Sequence, residues 1–63
     1  MAQLVKRYTI ADDCYEIYKF TDAVIKVQGY YIRLNGKPDG FGVYNTVEDC
    51  KRAILERVDS NGE

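Results

Sequence analysis

Tyr30-Tyr31-Ile32-Arg33-Leu34, then Asn35-Gly36-Lys37-Pro38-Asp39-Gly40, then Phe41-Gly42-Val43-Tyr44, then Thr46-Val47-Glu48-Asp49: these four phrases, nearly continuous, decide the fold. The first alternates, with Tyr30, Ile32 and Leu34 on one face and Tyr31 and Arg33 on the other, the period of a half-buried strand. The second joins an Asn-Gly pair to Pro-Asp-Gly, two turn signals with separate backbone reasons. The third is a short returning strand, so the first three phrases form a hairpin with a long loop. The fourth starts a helix, with Thr46 as N-cap and Asp49 three residues on able to reach back in a capping box.

Downstream, Val47, Cys50, Ile54 and Val58 share one helical stripe, with Ala53 and Leu55 at its edges. Glu48, Arg52 and Glu56 alternate in charge along the opposite, solvated side. The spacing predicts a helix to about Val58, followed by a polar tail from about residue 59 that frays.

Upstream, Ala23 to Gln28 is strand-like, but the inside/outside parity breaks at Gly29. A β-bulge within one long strand is favoured there over a tight turn between two. Cys14 to Phe20 holds three aromatic residues in six positions and reads as a strand turned back through Thr21-Asp22. A helix starting at Thr9 competes, because Thr9-Ile10-Ala11-Asp12 mimics a capping box and Ile10, Cys14 and Ile17 follow helical spacing. Leu4 to Ile10 adds an edge strand, with Lys6 and Arg7 guarding it against unwanted pairing. The expected fold is therefore α+β: an antiparallel sheet of three to four strands with one C-terminal amphipathic helix packed on one face, residues 1–63 forming a single domain.

A chain of 63 residues holds one small core and no second domain. Such a domain has about 3–5 kcal/mol of net stability, which a deep cleft of unpaired polar groups would consume. No apolar run reaches the length of a membrane helix, and the stretch from Met1 to Arg7 lacks the features of a signal peptide, so the cytoplasm is the expected compartment. Nine Lys and Arg against ten Asp and Glu leave a net charge of -1, which gives no overall positive field to gather phosphates.

The absence of His removes the commonest general base and metal ligand. Two cysteines without it make a poor zinc site. Cys50, on the apolar stripe, reads as a core residue, while Cys14 stays open between a structural and a functional role. A disulfide between them would need a secreted context. Asp12-Asp13 reads as a solvated turn rather than a cation or acid/base site. Gly36, Gly40 and Gly42 match no phosphate-binding glycine signature. A non-enzymatic chain with no cofactor and no metal is expected.

What remains is tyrosine: six Tyr and two Phe lie on both strand faces, and one helix covers only one of those faces. Some aromatic residues must therefore be exposed. If Tyr30, Ile32 and Leu34 meet the helix, Tyr31 and Arg33 face away, and Lys19 and Tyr15 are expected to join them from the neighbouring strand. Lys26 completes the candidate partner-binding set. Tyr and Arg are enriched as interface anchors, and such a face also resembles a stacking platform for single-stranded nucleic acid. The plain alternative is tyrosines packed over the outer face with their hydroxyls in water.

The passage from Tyr31 to Gly36, leading on to Val43-Tyr44-Asn45-Thr46 and the helix through Ile54, resembles the three-stranded DNA-binding domains of the AP2 and phage-integrase amino-terminal type. That resemblance implies a nucleic-acid-binding regulator whose sheet enters the major groove. Those families place several Arg and Trp residues on the sheet. Here Trp is absent, and Arg33 and Lys26 are the only cations of the best-defined strands. The leading expectation is thus an interaction protein docking on a larger protein partner, or on itself as a homodimer, through the Tyr/Arg face or a strand edge. Its size and composition are analogous to the small inhibitors that phages and mobile elements encode, such as anti-CRISPR proteins.

Overall fold

The computed structural model describes residues 2–22, 24 and 27–61. Four strands, β1 (Ala2–Ile10), β2 (Asp13–Asp22), β3 (Val27–Leu34) and β4 (Val43–Tyr44), form one antiparallel sheet in chain order, followed by helix α1 (Val47–Asn61). This is the expected α+β architecture, with the helix packed against one face of the sheet.

Turn chemistry sets the register. Ala11 and Asp12 both adopt left-handed φ, 50° and 72°, so β1 and β2 join through a two-residue turn whose twist matches the strands. Asn35 and Gly36, at 53° and 84°, repeat the device after β3, closed by Leu34 N–H to Lys37 O at 2.6 Å and Lys37 N–H to Leu34 O at 3.1 Å. A further reversal at Pro38–Phe41 brings the chain back to β4, which pairs Tyr30 with Tyr44 and Tyr31 with Val43.

The Asn35 side chain then joins the two neighbouring turns at one end of the sheet. Its Oδ1 accepts from Cys14 N–H at 2.9 Å, its Nδ2 donates to Asp13 Oδ1 at 3.1 Å, and its own N–H donates to Cys14 O at 2.8 Å. One residue thereby locks the β1–β2 turn to the β3–β4 loop.

Thr46 caps the helix, its Oγ1 accepting from Asp49 N–H at 3.1 Å, and the first helical bond runs from Cys50 N–H to Thr46 O. Cys50 and Ile54 meet Tyr15, Ile17 and Ile32 of the sheet, and these five are the fully buried apolar residues. Tyr8, Leu34, Phe41, Tyr44, Val47 and Val58 pack around them. Arg57 braces the far side: it bonds the Asp39 carboxylate at 2.8 Å and the Asp39 carbonyl at 3.0 Å, with its guanidinium 4.4 Å from the Phe41 ring centre.

Three local expectations need correction. Pairing runs without interruption from Asp22↔Val27 to Tyr15↔Leu34, so Gly29 carries no bulge. The irregularity lies in β1 instead, between Leu4 and Lys6, where Val5 is the extra residue. The reversal between β2 and β3 falls after Asp22 rather than at Thr21-Asp22, so the strand-like reading of Ala23 to Lys26 is not met where it can be judged: Val24 is in the turn, and the other three lie outside the described residues. The helix also continues through Asn61 rather than ending near Val58. Val58 on the core and Arg57 on Asp39 hold its last turns.

Candidate functional site

Residues paired across an antiparallel sheet share a face, so the register assigns the paired, described strand side chains. Tyr15, Ile17, Ile32 and Leu34 face the helix, which leaves Tyr31 and Arg33 on the open side as expected. Lys19 and Tyr15 do not join them. Tyr15 is 2% exposed in the core, and Lys19, two positions beyond Ile17 and opposite Tyr30, has the same inward parity. Lys26 lies outside the described residues.

Beyond the Thr9–Cys14 row, three successive rows of the open face carry its charged and aromatic side chains. The first is Arg7, Glu16 and Arg33; the second is Leu4, Tyr18, Tyr31 and Val43; the third is Ala2, Phe20 and Gly29. Tyr18 and Tyr31 stack across the strands with ring centres 5.3 Å apart and planes 13° from parallel. Phe20 leans on Tyr31 from the diagonal position, at 6.0 Å and 42°. The Arg33 guanidinium sits over both tyrosines, 5.6 Å from one ring centre and 5.7 Å from the other.

Gly29 makes this ladder fit. A Cβ there would meet the Phe20 ring at 3.0 Å and Val43 Cγ1 at 3.2 Å, so the glycine lets Phe20 and Val43 close over the backbone. Leu4 and Val43 flank the aromatic residues at 40% and 67% exposure.

Charge on this face differs from that of the chain. Arg7 bonds Glu16 at 2.9 Å, which raises the guanidinium pKa further above its ordinary value. Arg33 makes no ion pair among the described residues, although Glu16 is its cross-strand neighbour. Along the row Arg7–Glu16–Arg33, two guanidiniums stand against one carboxylate, a local excess of positive charge on a chain of net charge -1.

Elsewhere the chemistry is sparse. Cys14 and Cys50 are both free thiols. Burial, reinforced by Asp49, pushes Cys50 up to about 11, so it remains a protonated core side chain at neutral pH. No group of three or more His, Cys, Asp or Glu side chains placed to hold a metal occurs among the described residues. Two shallow depressions flank the helix, one of about 460 Å³ on its outer surface beside Leu55 and one of about 280 Å³ beside Phe41 and Arg57. The donors of Arg57 in the second are already committed to Asp39. Among the described residues no helix is long and apolar enough to cross a membrane.

Sequence reasoning missed Tyr18, Phe20, Leu4 and Val43. The β2 pattern offers apolar groups to both sides, Tyr15 and Ile17 against Tyr18 and Phe20, so alternation alone does not choose a face. The register does, once the reversal after Asp22 is placed. No family model, curated protein or solved structure matches this chain.

Proposed function

We propose that this chain is a non-catalytic interaction module that docks on a larger protein partner through the open sheet face. The observation that carries the proposal is the preformed ladder Phe20–Tyr31–Tyr18 with Arg33 laid over it and apolar Leu4 and Val43 at its flanks. Rings locked against one another lose little side-chain entropy on binding, and aromatic and Arg anchors ringed by apolar contacts are the usual carriers of interface energy. An accessory or inhibitory role, of the kind mobile elements encode, rests on size and composition alone.

The geometry favours protein over nucleic acid. A base-stacking platform offers ring faces to the ligand, whereas Tyr18 and Tyr31 turn a face toward each other and Arg33 lies over both. Among the described residues of this face, one guanidinium, that of Arg33, is free of a carboxylate for phosphate.

The test is capture of the partner by immobilised protein, comparing wild type with the double substitution Tyr31→Ala and Arg33→Ala. Loss of the partner from the double variant, with its circular dichroism unchanged, is expected. Retention by the folded variant would place the binding surface elsewhere. Retardation of oligonucleotides in a gel, weakening steeply with salt, would favour the nucleic-acid reading instead.

A further inference from the structure

Surface area is the starting point. A compact monomer of 7.3 kDa exposes about 4,200 Å², whereas this chain exposes 4703 Å². It is long and thin, 43 × 17 × 16 Å, with five fully buried apolar residues. The surplus of about 500 Å² accompanies a sheet with one uncovered face.

We infer that, in the absence of its partner, the open face is closed by a second copy of the chain, sheet on sheet, about a twofold axis running across the strands at the level of Tyr18 and Tyr31. The inference rests on the docking reading above and names a further occupant of the same face.

The three rows select this axis. Rows two residues apart along a strand are about 6.8 Å apart, and the apolar row of Leu4, Tyr18, Tyr31 and Val43 lies between the arginine row and the Phe20 row. A twofold axis along that row places the Arg7–Glu16–Arg33 row of one copy over the Ala2–Phe20–Gly29 row of the other. The two arginine rows then lie at opposite ends of the interface, about 14 Å apart along the strands and beyond the screening length of about 8 Å at physiological salt. An axis along the strands would instead set arginine row on arginine row. Only the first arrangement buries the aromatic ladder without opposing like charges, and it is closed and isologous, so it stops at two.

Size sets the strength. Four strands about 4.8 Å apart and three rows give a footprint of about 400 Å² per copy, well under the roughly 800 Å² per partner of a standard stable interface. The dimer is therefore weak, with a dissociation constant on the order of 10 μM, and a partner docking on the same face must displace it.

The axis makes a specific demand: Leu4 of one copy faces Leu4 of the other. Leu4→Glu and Leu4→Lys each set like charges against each other, at an exposed edge position where the fold tolerates them. Sedimentation equilibrium of wild type is expected to show reversible dimerisation near about 10 μM. Each variant alone is expected to associate at least about tenfold more weakly, and an equimolar mixture of the two to regain wild-type association. Leu55→Glu, on the outer surface of the helix, is expected to leave association unchanged. A wild type that stays monomeric at about 100 μM overturns the inference, as does failure of the mixture to re-associate, or loss of the dimer in Leu55→Glu. The two proposals fail separately. A monomer whose double variant at Tyr31 and Arg33 still loses the partner removes only the dimer; a dimer whose double variant keeps the partner removes only the docking face.

Discussion

The two faces of the sheet are built from the same residue types and meet different fates. On the inner side Tyr15, Ile17 and Ile32 are sealed by Cys50 and Ile54, and Tyr15 meets Phe41 edge to face at 6.4 Å. On the outer side Tyr18, Phe20 and Tyr31 pack against one another, Gly29, Arg33 and the exposed Leu4 and Val43, with no helix over them. A helix makes a stripe into a core; without one, the same aromatic density becomes a presented surface. Inner residues are thus expected to govern stability and outer ones binding.

The largest expected effect lies inside. Ile32→Ala removes a side chain that is 1% exposed, at a cost of about 2–5 kcal/mol, comparable to the whole stability of a domain this small. Thermal unfolding monitored by circular dichroism should show the variant largely unfolded at 25 °C, whereas Tyr18→Ala keeps a cooperative transition. Equal losses from the two would erase the distinction between the faces.

A second test uses Cys50. Its folded value of about 11 lies above the ordinary 9.0. Below pH 9 the thiol is protonated in both states and its contribution is intact; as pH rises from 9 through 11 the unfolded chain ionises first and stability is lost. Urea titrations between pH 8 and 11 should therefore show wild type losing more stability than Cys50→Ala. Cys14, outside the buried core, should react with iodoacetamide at pH 8 well ahead of Cys50.

The smallest expected effect on stability is that of Arg33→Gln, which removes an exposed cation from above two rings, at a cost within about 1 kcal/mol. Its midpoint in urea should barely move while partner binding falls. A large drop in stability would make Arg33 a structural residue.

Legibility in the sequence tracked how local each determinant was. The β3–β4 hairpin, the Thr46 cap and the apolar helix stripe were readable because turn and capping chemistry act within a few residues. The role of Asn35 went half seen: the Asn-Gly turn is plain, but its bonds to Asp13 and Cys14 span more than twenty positions. Lys19 and Tyr15 were assigned to the wrong face because β2 offers apolar groups to both sides, and its phase is fixed by pairing with β3, as in Ile17↔Ile32 and Phe20↔Gly29. Gly29 looked like a defect in alternation. It is instead the space that Phe20 and Val43 fill.

The strand order β1-β2-β3-β4 also bears on how the chain reaches this state. Each strand pairs with its predecessor, so every closure spans a short loop of low entropic cost and the sheet can zip hairpin by hairpin at the fast end for β proteins. The helix comes last in chain order. Until Thr46 nucleates it, Ile17 and Ile32 are as bare as Tyr18 and Tyr31, and the nascent sheet has two adhesive sides. The Thr46 cap, which stabilises the first turn of that helix, therefore bears on how long the inner face stays bare as well as on the finished fold.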